Sequence, residues 1–203
     1  FAIKAGAVNT LIPCDGKVLG SNTDGIGLVR DLEGRHEVGL GGARVLLLGA
    51  GGASRGVIQP LIEAGIAQLI IANRTIVNAQ LLAQKFSGAD KHAVPTDISA
   101  IGLSEIERSA KHLGDIDLII NSTSLGLQQG SMPFPADLVE DRVCYDMGYG
   151  GKARFAEWAR ANGALRAADG LGMLIEQAAE SFRLWHGLHP QTDSIYHLLR
   201  NRV

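Results

Sequence analysis

Cysteine is scarce. Cys14 and Cys144 are the only two in 203 residues and stand far apart, with no CxxC spacing and no neighbouring histidine. That excludes a disulfide framework and a zinc site, and both read as reduced packing residues. Apolar runs are short: none approaches the roughly 18 residues that span a bilayer. The N-terminus also lacks the basic, apolar and small-residue succession of a signal peptide, so no membrane association is expected and the cytoplasm is the expected compartment. Charge of one sign is missing as well. The formal net charge is -2, and lysine and arginine are spread along the chain, which leaves no electrostatic footprint for nucleic acid. The histidines (36, 92, 112, 186, 189, 197) show no ligand spacing with carboxylates or cysteines, so no metal is expected, and there is no G-x-S-x-G elbow. A balance of 46% apolar and 20% charged residues leaves a globular chain suited to small-molecule chemistry.

Glycine is in excess, at 26 residues, concentrated where chain reversals or close approaches to a ligand are needed. From Ala43 onward short apolar runs alternate with amphipathic segments. RVLLLG (44–49), QLIIAN (68–73), a weak HAV (92–94), IDLIIN (116–121), RVCYDM (142–147) and ALRA (164–167) are continuous, the pattern of strands buried on both faces of a parallel sheet. Between them IVNAQLLAQKFSG places Ala79, Leu82, Ala83 and Phe86 on one helical face, with Gly88 to end the helix. GASRGVIQPLIEAG reads as a helix bent near Val57, because Pro60 removes a hydrogen bond inside it. The alternation predicts an α/β fold with a doubly wound parallel Rossmann sheet.

On either side the pattern changes. AVNTLIPCDGKVLG (7–20) reads as a hairpin turning at Asp15-Gly16, and two strands alone are only marginally stable, so the hairpin needs a sheet to join. Asp24 to Glu33 reads as a linking helix. At the far end Leu171, Leu174, Ile175, Ala178, Phe182 and Trp185 form an apolar face larger than the last helix of a finished sheet requires, which predicts self-association or dye binding. Hairpin and last helices together predict a partial second α/β domain whose other strands lie upstream. The chain opens at Phe1, without methionine and inside structured sequence, in keeping with that expectation. The expected division is 1–23 for the remnant of the second domain, 24–42 for the linking helix and loop, 43–168 for the nucleotide domain and 169–203 for the returning helices.

Four segments carry chemistry. Gly49-Ala50-Gly51-Gly52-Ala53-Ser54 has the G-x-G-x-x-small spacing after a strand and at the start of a helix, whose free N–H groups favour a pyrophosphate. At the next strand end, where an NAD-binding unit carries an acid, Asn73 is followed by Arg74 and Thr75; a guanidinium attracts the 2′-phosphate that a carboxylate repels, which predicts NADP(H). NSTSLG (121–126) places Thr123 and Ser124 at another strand end, readable as nicotinamide contacts or as a polar turn. GSNTDG (20–25) reads as turn chemistry in which Gly20, Ser21 and Asn22 leave the hairpin and Thr23 helps to start the helix.

AGAVNTL, GSNTDGIGL, GAGGASRG, NRT, INSTSLG, YDMGY and DGLGMLIEQAA, in this order and at these spacings, closely resemble the shikimate dehydrogenase family from about Ala5 to about Gly187. The resemblance implies NADPH-dependent reduction of 3-dehydroshikimate to shikimate on the route to aromatic amino acids, with a cleft between nucleotide and substrate domains. It implies that Gly49, Ala50, Gly51, Gly52 and Ala53 cradle the pyrophosphate and that Asn73, Arg74 and Thr75 hold the 2′-phosphate. Met147 and Gly170 would then lie along the nicotinamide half, and Asn9, Asp24, Tyr149 and Gln177 would contact the substrate's hydroxyls. A lysine from a motif upstream of the AVNT strand works beside the aspartate matching Asp24; Lys4 does not fit that motif and reads as a surface charge. Where the family often has NRTxxRA this chain has Asn78, which weakens the expected NADP preference. A monomer or homodimer is expected. The alternatives are a quinate/shikimate relative using NAD and a non-catalytic NADP-binding fragment.

Overall fold

The structure is a computed structural model that describes residues 2–87, 95–108, 113–124 and 132–202. After a short helix α1 (Ala2–Ala5), strands β1 (Thr10–Cys14) and β2 (Lys17–Ser21) form an antiparallel hairpin in which Cys14 pairs with Lys17. Asp15 and Gly16 have φ of 46° and 73°, the two positive values that a tight primed turn requires. Gly20 and Ser21 belong to β2, paired with Leu11 and Thr10, so the exit from the hairpin is narrower than GSNTDG suggests and falls on Asn22 alone.

Helix α2 (Asp24–Arg30) follows and continues as a π-helical turn, Asp31–Arg35. Then come β3 (Arg44–Leu48), α3 (Gly52–Glu63), β4 (Gln68–Asn73), α4 (Ile76–Phe86), β5 (Asp97–Gly102) and α5 (Leu103–Arg108). They are followed by β6 (Leu118–Asn121), β7 (Val143–Asp146), α6 (Arg154–Ala161), β8 (Arg166–Asp169), α7 (Leu171–His186) and α8 (Asp193–Arg200). The six strands β3 to β8 form one parallel sheet in the order β5-β4-β3-β6-β7-β8, reversing direction of growth at β3, which is the expected doubly wound α/β arrangement. Helix α3 passes through Pro60 without interruption.

The third strand differs from expectation. HAV (92–94) and Gly88 lie outside the described residues, and the strand found is DISAIG, Asp97–Gly102. It occupies the sheet edge and pairs only with β4, so its residues are mostly half-buried and carry no continuous apolar run.

Alternate residues of β3 feed two cores. Val45 and Leu47 face α2 and α3 through Leu28, Leu32, Ile58 and Leu61, whereas Leu46 and Leu48 meet Ile119, Cys144 and Phe155 on the other side. Helix α2 binds the sheet layer to α7 at close range. A Cβ at Gly27 would stand 2.7 Å from the backbone of Met173 and Gln177, so only glycine allows this crossing. On α7, Leu171, Ile175 and Ala179 are buried while Leu174, Phe182 and Trp185 stay exposed, and the Trp185 indole donates to the Leu11 carbonyl of β1 at 2.8 Å. Among the described residues no helix is long and apolar enough to cross a membrane.

A buried polar knot locks these elements. Asp31, fully buried, accepts from the Tyr145 hydroxyl of β7 at 2.7 Å and from Arg35 at 2.5 Å, with His36 Nε2 3.5 Å away. Arg35 also reaches Glu176 of α7 at 3.3 Å and stacks on the Tyr196 ring of α8 at 4.2 Å. Burial works to raise the Asp31 pKa, but hydrogen bonds from His36, Tyr145 and Arg35 outweigh it and hold the carboxyl below its ordinary range. Glu180 is also lowered, first by its hydrogen bond from Arg183 at 2.6 Å and then by Arg30.

Both shifts are depressions. The stability they contribute is complete above the unfolded carboxylate range, about pH 4, and disappears as pH falls through the lower folded-state values. Circular dichroism during denaturant titrations is expected to show the unfolding midpoint falling as pH is lowered from about 4 toward 2. A midpoint unchanged over that interval would rule out a contribution from these two acids.

Candidate active site

Where the sheet reverses, the carboxyl ends of β3, β4 and β6 open a cleft of about 400 Å³ lined by Gly49 to Gly51, Asn73 to Thr75, Asn78, Leu103 and Ser122 to Ser124. Its floor is set by Gly49. The residue has φ +112°, its N–H still bonds to Ala72 in β4, and a Cβ there would stand 2.4 Å from the Ser122 hydroxyl. Ser122 cannot move aside freely, since it donates to the Leu48 carbonyl at 2.7 Å and shares a hydrogen bond with Ser54 at 2.6 Å. Gly49→Ala is therefore expected to cost about 1–3 kcal/mol of stability through backbone strain alone. It should also weaken nucleotide binding more than tenfold, roughly one 1.4 kcal/mol step; calorimetric titration and thermal melts check both, and a well-folded variant with unchanged affinity would contradict this reading of the floor.

At the mouth of the cleft α3 begins with Gly51 as its N-cap, in an extended conformation and without a side-chain acceptor. Arg55 makes the first helical bond, to the Gly51 carbonyl, and the positions above Gly51 and Gly52 are open space. Unsatisfied N–H groups at a positive helix end suit a phosphate. Asn73 donates to the Thr75 carbonyl at 2.9 Å and fixes the turn that carries Arg74. Arg74 is exposed and has no ion pair among the described residues. An uncapped helix end together with a free guanidinium fits a dinucleotide bearing an extra phosphate.

The structure thus brings Gly49, Ala50, Gly51, Asn73, Arg74, Thr75 and Thr123 around one cleft, with Gly52 and Ala53 in the first turn of α3 beside it. Met147 and Gly170 do not line this cleft. They abut each other on the rim of β7 and β8, where a Cβ at Gly170 would be 2.4 Å from the Met147 carbonyl. Leu103 and Ser122 also line the cleft and carry no signal of their own in the sequence, although Ser122 stands inside NSTSLG.

A second cluster lies where the hairpin meets α2 and α7. Asn9 donates to Asp24 Oδ1 at 2.8 Å, to the Thr23 hydroxyl at 3.0 Å and to Gln177 Oε1 at 3.4 Å, while its own Oδ1 accepts from the Thr23 N–H at 3.0 Å. Thr23 is fully buried and its hydroxyl, within 3.3 Å of Asn9, Gln177 and Ser181, makes no capping bond to α2. Thr23 is the N-cap of α2, as expected, and its carbonyl accepts the Gly27 N–H at 3.0 Å, while its hydroxyl is committed to the cluster instead of capping the helix. The turn falls to Asn22, whose Oδ1 accepts from the Asp24 N–H at 3.1 Å. Thr10 and Ser181 share a hydrogen bond at 2.7 Å and complete the group.

Asn9, Asp24 and Gln177 are therefore together, a carboxylate with two amides, and among the described residues no hydrogen bond joins Tyr149 to them. Its ring is exposed, its side chain has no hydrogen bond among the described residues, and it precedes a short 3-10 turn at Gly150–Lys152. The missed members, Thr10, Thr23 and Ser181, had one usable signal: Ser181 follows Gln177 by one helical turn and donates to its carbonyl at 3.0 Å.

Known proteins resemble this chain in sequence and in fold. The sequence pattern described as Shikimate / quinate 5-dehydrogenase matches residues 33–126, and that of the Shikimate 5'-dehydrogenase C-terminal domain matches residues 170–200. A protein named Shikimate dehydrogenase (NADP(+)) from Vibrio atlanticus is 51% identical over 203 residues, covering 98% of this chain and 68% of its own. The solved shikimate 5-dehydrogenase of Thermus thermophilus in complex with NADP(H) and shikimate superposes with a TM-score of 0.79 at 33% identity, over 100% of this chain and 70% of that one. That of Listeria monocytogenes in complex with shikimate and NAD gives 0.84 at 26%, over 98% and 69%. A cleft at the sheet's reversal point, an amide and carboxylate cluster at the hairpin, and a relative half identical over 98% of this chain place it in the shikimate dehydrogenase family of oxidoreductases.

Proposed function

We propose that this chain is part of an enzyme that reduces 3-dehydroshikimate to shikimate with NADPH, in the cytoplasm, as a step of aromatic amino acid biosynthesis. The observation that carries the cofactor assignment is Arg74, without an ion pair among the described residues and in the same cleft as Gly49 and Gly51, beside the uncapped start of α3. Residues 43–168 serve as the nucleotide domain. Residues 1–23 and 169–203 contribute to the substrate domain, with 24–42 linking the two. NADPH supplies the hydride. Asn9, Asp24 and Gln177 take the hydroxyls of the substrate, whose neutral polar groups require paired donors and acceptors once buried. Tyr149 is proposed to bond only once substrate is present, since among the described residues no hydrogen bond joins it to that cluster.

Asp24 has a second role in this reading. A carboxylate favours the charged form of a neighbouring ammonium and orients it, and the family resemblance implies a lysine beside it from an N-x-T-x-P-x-K type run. None of the lysines of this chain lies in such a run. The 203-residue chain by itself is therefore proposed to bind nucleotide without oxidising shikimate. Following reduced nicotinamide by absorbance, with shikimate and NADP+ as reactants, tests this; turnover by the purified chain would show that the lysine is dispensable or replaced.

Asn78 supports one further reading, a quinate/shikimate relative that accepts NAD, because it faces the cleft where a second guanidinium would strengthen phosphate binding. Titration with both cofactors separates the two. NADPH affinity well above NADH affinity is expected, and equal affinities would favour the relative.

A further inference from the structure

Strands β6, β7 and β8 end in a row of side-chain acceptors. Asn121, Asp146 and Asp169 are the last residues of these neighbouring strands and pair in register, Asn121 with Asp146 and Asp146 with Asp169. Each accepts the backbone N–H two residues ahead: Thr123 on Asn121 Oδ1 at 3.1 Å, Gly148 on Asp146 Oδ1 at 3.0 Å and Leu171 on Asp169 Oδ1 at 3.2 Å. Three consecutive loops are thereby turned at the same height above the sheet. Thr123, Met147 and Gly170 are the residues those turns carry.

The row is also cross-linked. Asn121 donates to Asp146 Oδ1 at 3.1 Å, and Asp146 Oδ2 takes the N–H groups of Phe155 and Ala156, the start of α6, at 2.9 and 3.3 Å. Asp169 is gripped by Arg200 of α8 at 2.6 and 2.7 Å. Backbone pairing runs past the strands, with Met147 N–H on the Asn121 carbonyl and Gly170 N–H on the Gly148 carbonyl, both at 2.9 Å. Asn121 and Asp146 are each only 2% exposed. Such burial is costly unless every polar atom is bonded, and a plain strand end in water would need neither residue.

We propose that Asn121, Asp146 and Asp169 are positioning residues that hold the first residues after β6, β7 and β8, Thr123, Met147–Gly148 and Gly170–Leu171, in the shape needed to receive the nicotinamide half of the nucleotide before it binds. This rests on the NADP(H) reading of the cleft above. Fixing loops in advance lowers the ordering cost of binding and places the ring for transfer. The adenosine half lies by Arg74 at β4, outside the row, and should not depend on it.

Asp146→Asn keeps the shape of the side chain but replaces one acceptor oxygen by an amide facing either the donors Gly148 and Asn121 or the start of α6. In the 203-residue chain the variant is expected to bind adenosine 2′,5′-bisphosphate within about twofold of the parent and NADPH about tenfold more weakly, the loss of one net hydrogen bond to a charged group. Fluorescence anisotropy of the bound nicotinamide should fall in parallel. Equal weakening of both ligands would assign the row to general stability and overturn the proposal, as would unchanged NADPH binding. A parent chain that binds neither ligand would remove the nucleotide reading itself, and this inference with it. The parent alone provides a second test that does not depend on the variant folding: without nucleotide, the amides of Thr123, Gly148 and Leu171 should exchange hydrogen at least about tenfold more slowly than free peptide. Exchange at free-peptide rates would overturn prior positioning.

Discussion

Arg74→Ala is expected to weaken NADPH binding by about 10- to 150-fold, because hydrogen bonds to charged groups contribute about 1.5–3 kcal/mol and each 1.4 kcal/mol is tenfold. NADH affinity should stay within about twofold, since it lacks the phosphate that the guanidinium meets. The size of the effect follows from the absence of any competing partner: among the described residues Arg74 forms no ion pair, so its full donor set is available to an anion. Asn73 holds the turn through its bond to Thr75 and is untouched by the substitution, which separates the charge from the loop geometry. Calorimetric titration with each cofactor reads the ratio directly. A parallel loss of both affinities would mean that the side chain supports the loop, and an unchanged NADPH affinity would send the phosphate elsewhere.

Asp31→Ala should be the most damaging single change to folding. Removing one member of a buried charged pair costs about 3–5 kcal/mol because the remaining partner is left uncompensated. Here the remaining partners are Arg35, which keeps Glu176 and some contact with water, His36, and the Tyr145 hydroxyl, which sits on a fully buried side chain with no water to turn to. At about 2–4 °C per kcal/mol for a chain of this size, the melting temperature should fall by roughly 6–20 °C. Gly172→Ala attacks the same point from the other side, since its Cβ would overlap the Asp31 carboxylate. Both variants should melt early in differential scanning calorimetry, and Tyr145→Phe, which deletes one neutral donor, should lose less. A melting temperature within about 2 °C of the parent, under 1 kcal/mol, would show the knot to be dispensable.

The inner strands were legible in the sequence because β3, β4, β6 and β7 are buried on both faces and read as unbroken apolar runs. The edge strand β5 was not, since half-buried residues leave no such signature. The hairpin was announced by Asp15-Gly16, whose positive φ values few other pairs adopt. In the sites the division follows distance along the chain. The glycines of the cleft and the Asn73 to Thr75 turn are local and readable, whereas Asn9 and Gln177, 168 residues apart, emerged only from family resemblance. Thr23 read as a helix start, while Thr10 and Ser181 carried no local signal; the three become a buried cluster only where hairpin, α2 and α7 meet. Asp31 resembled any surface acid on a helix; its burial depends on Tyr145, 114 residues away.

The bond from the Trp185 indole to the Leu11 carbonyl gives this molecule a built-in optical reporter. Of the two tryptophans, Trp158 packs beside Phe134 and Phe155 on the far side of the sheet, while Trp185 bridges α7 to the hairpin. In a Trp158→Phe background, emission would come from the seam between hairpin and α7 alone. Detachment of β1 and β2 would then be recorded as a change in its emission, separately from melting of the sheet.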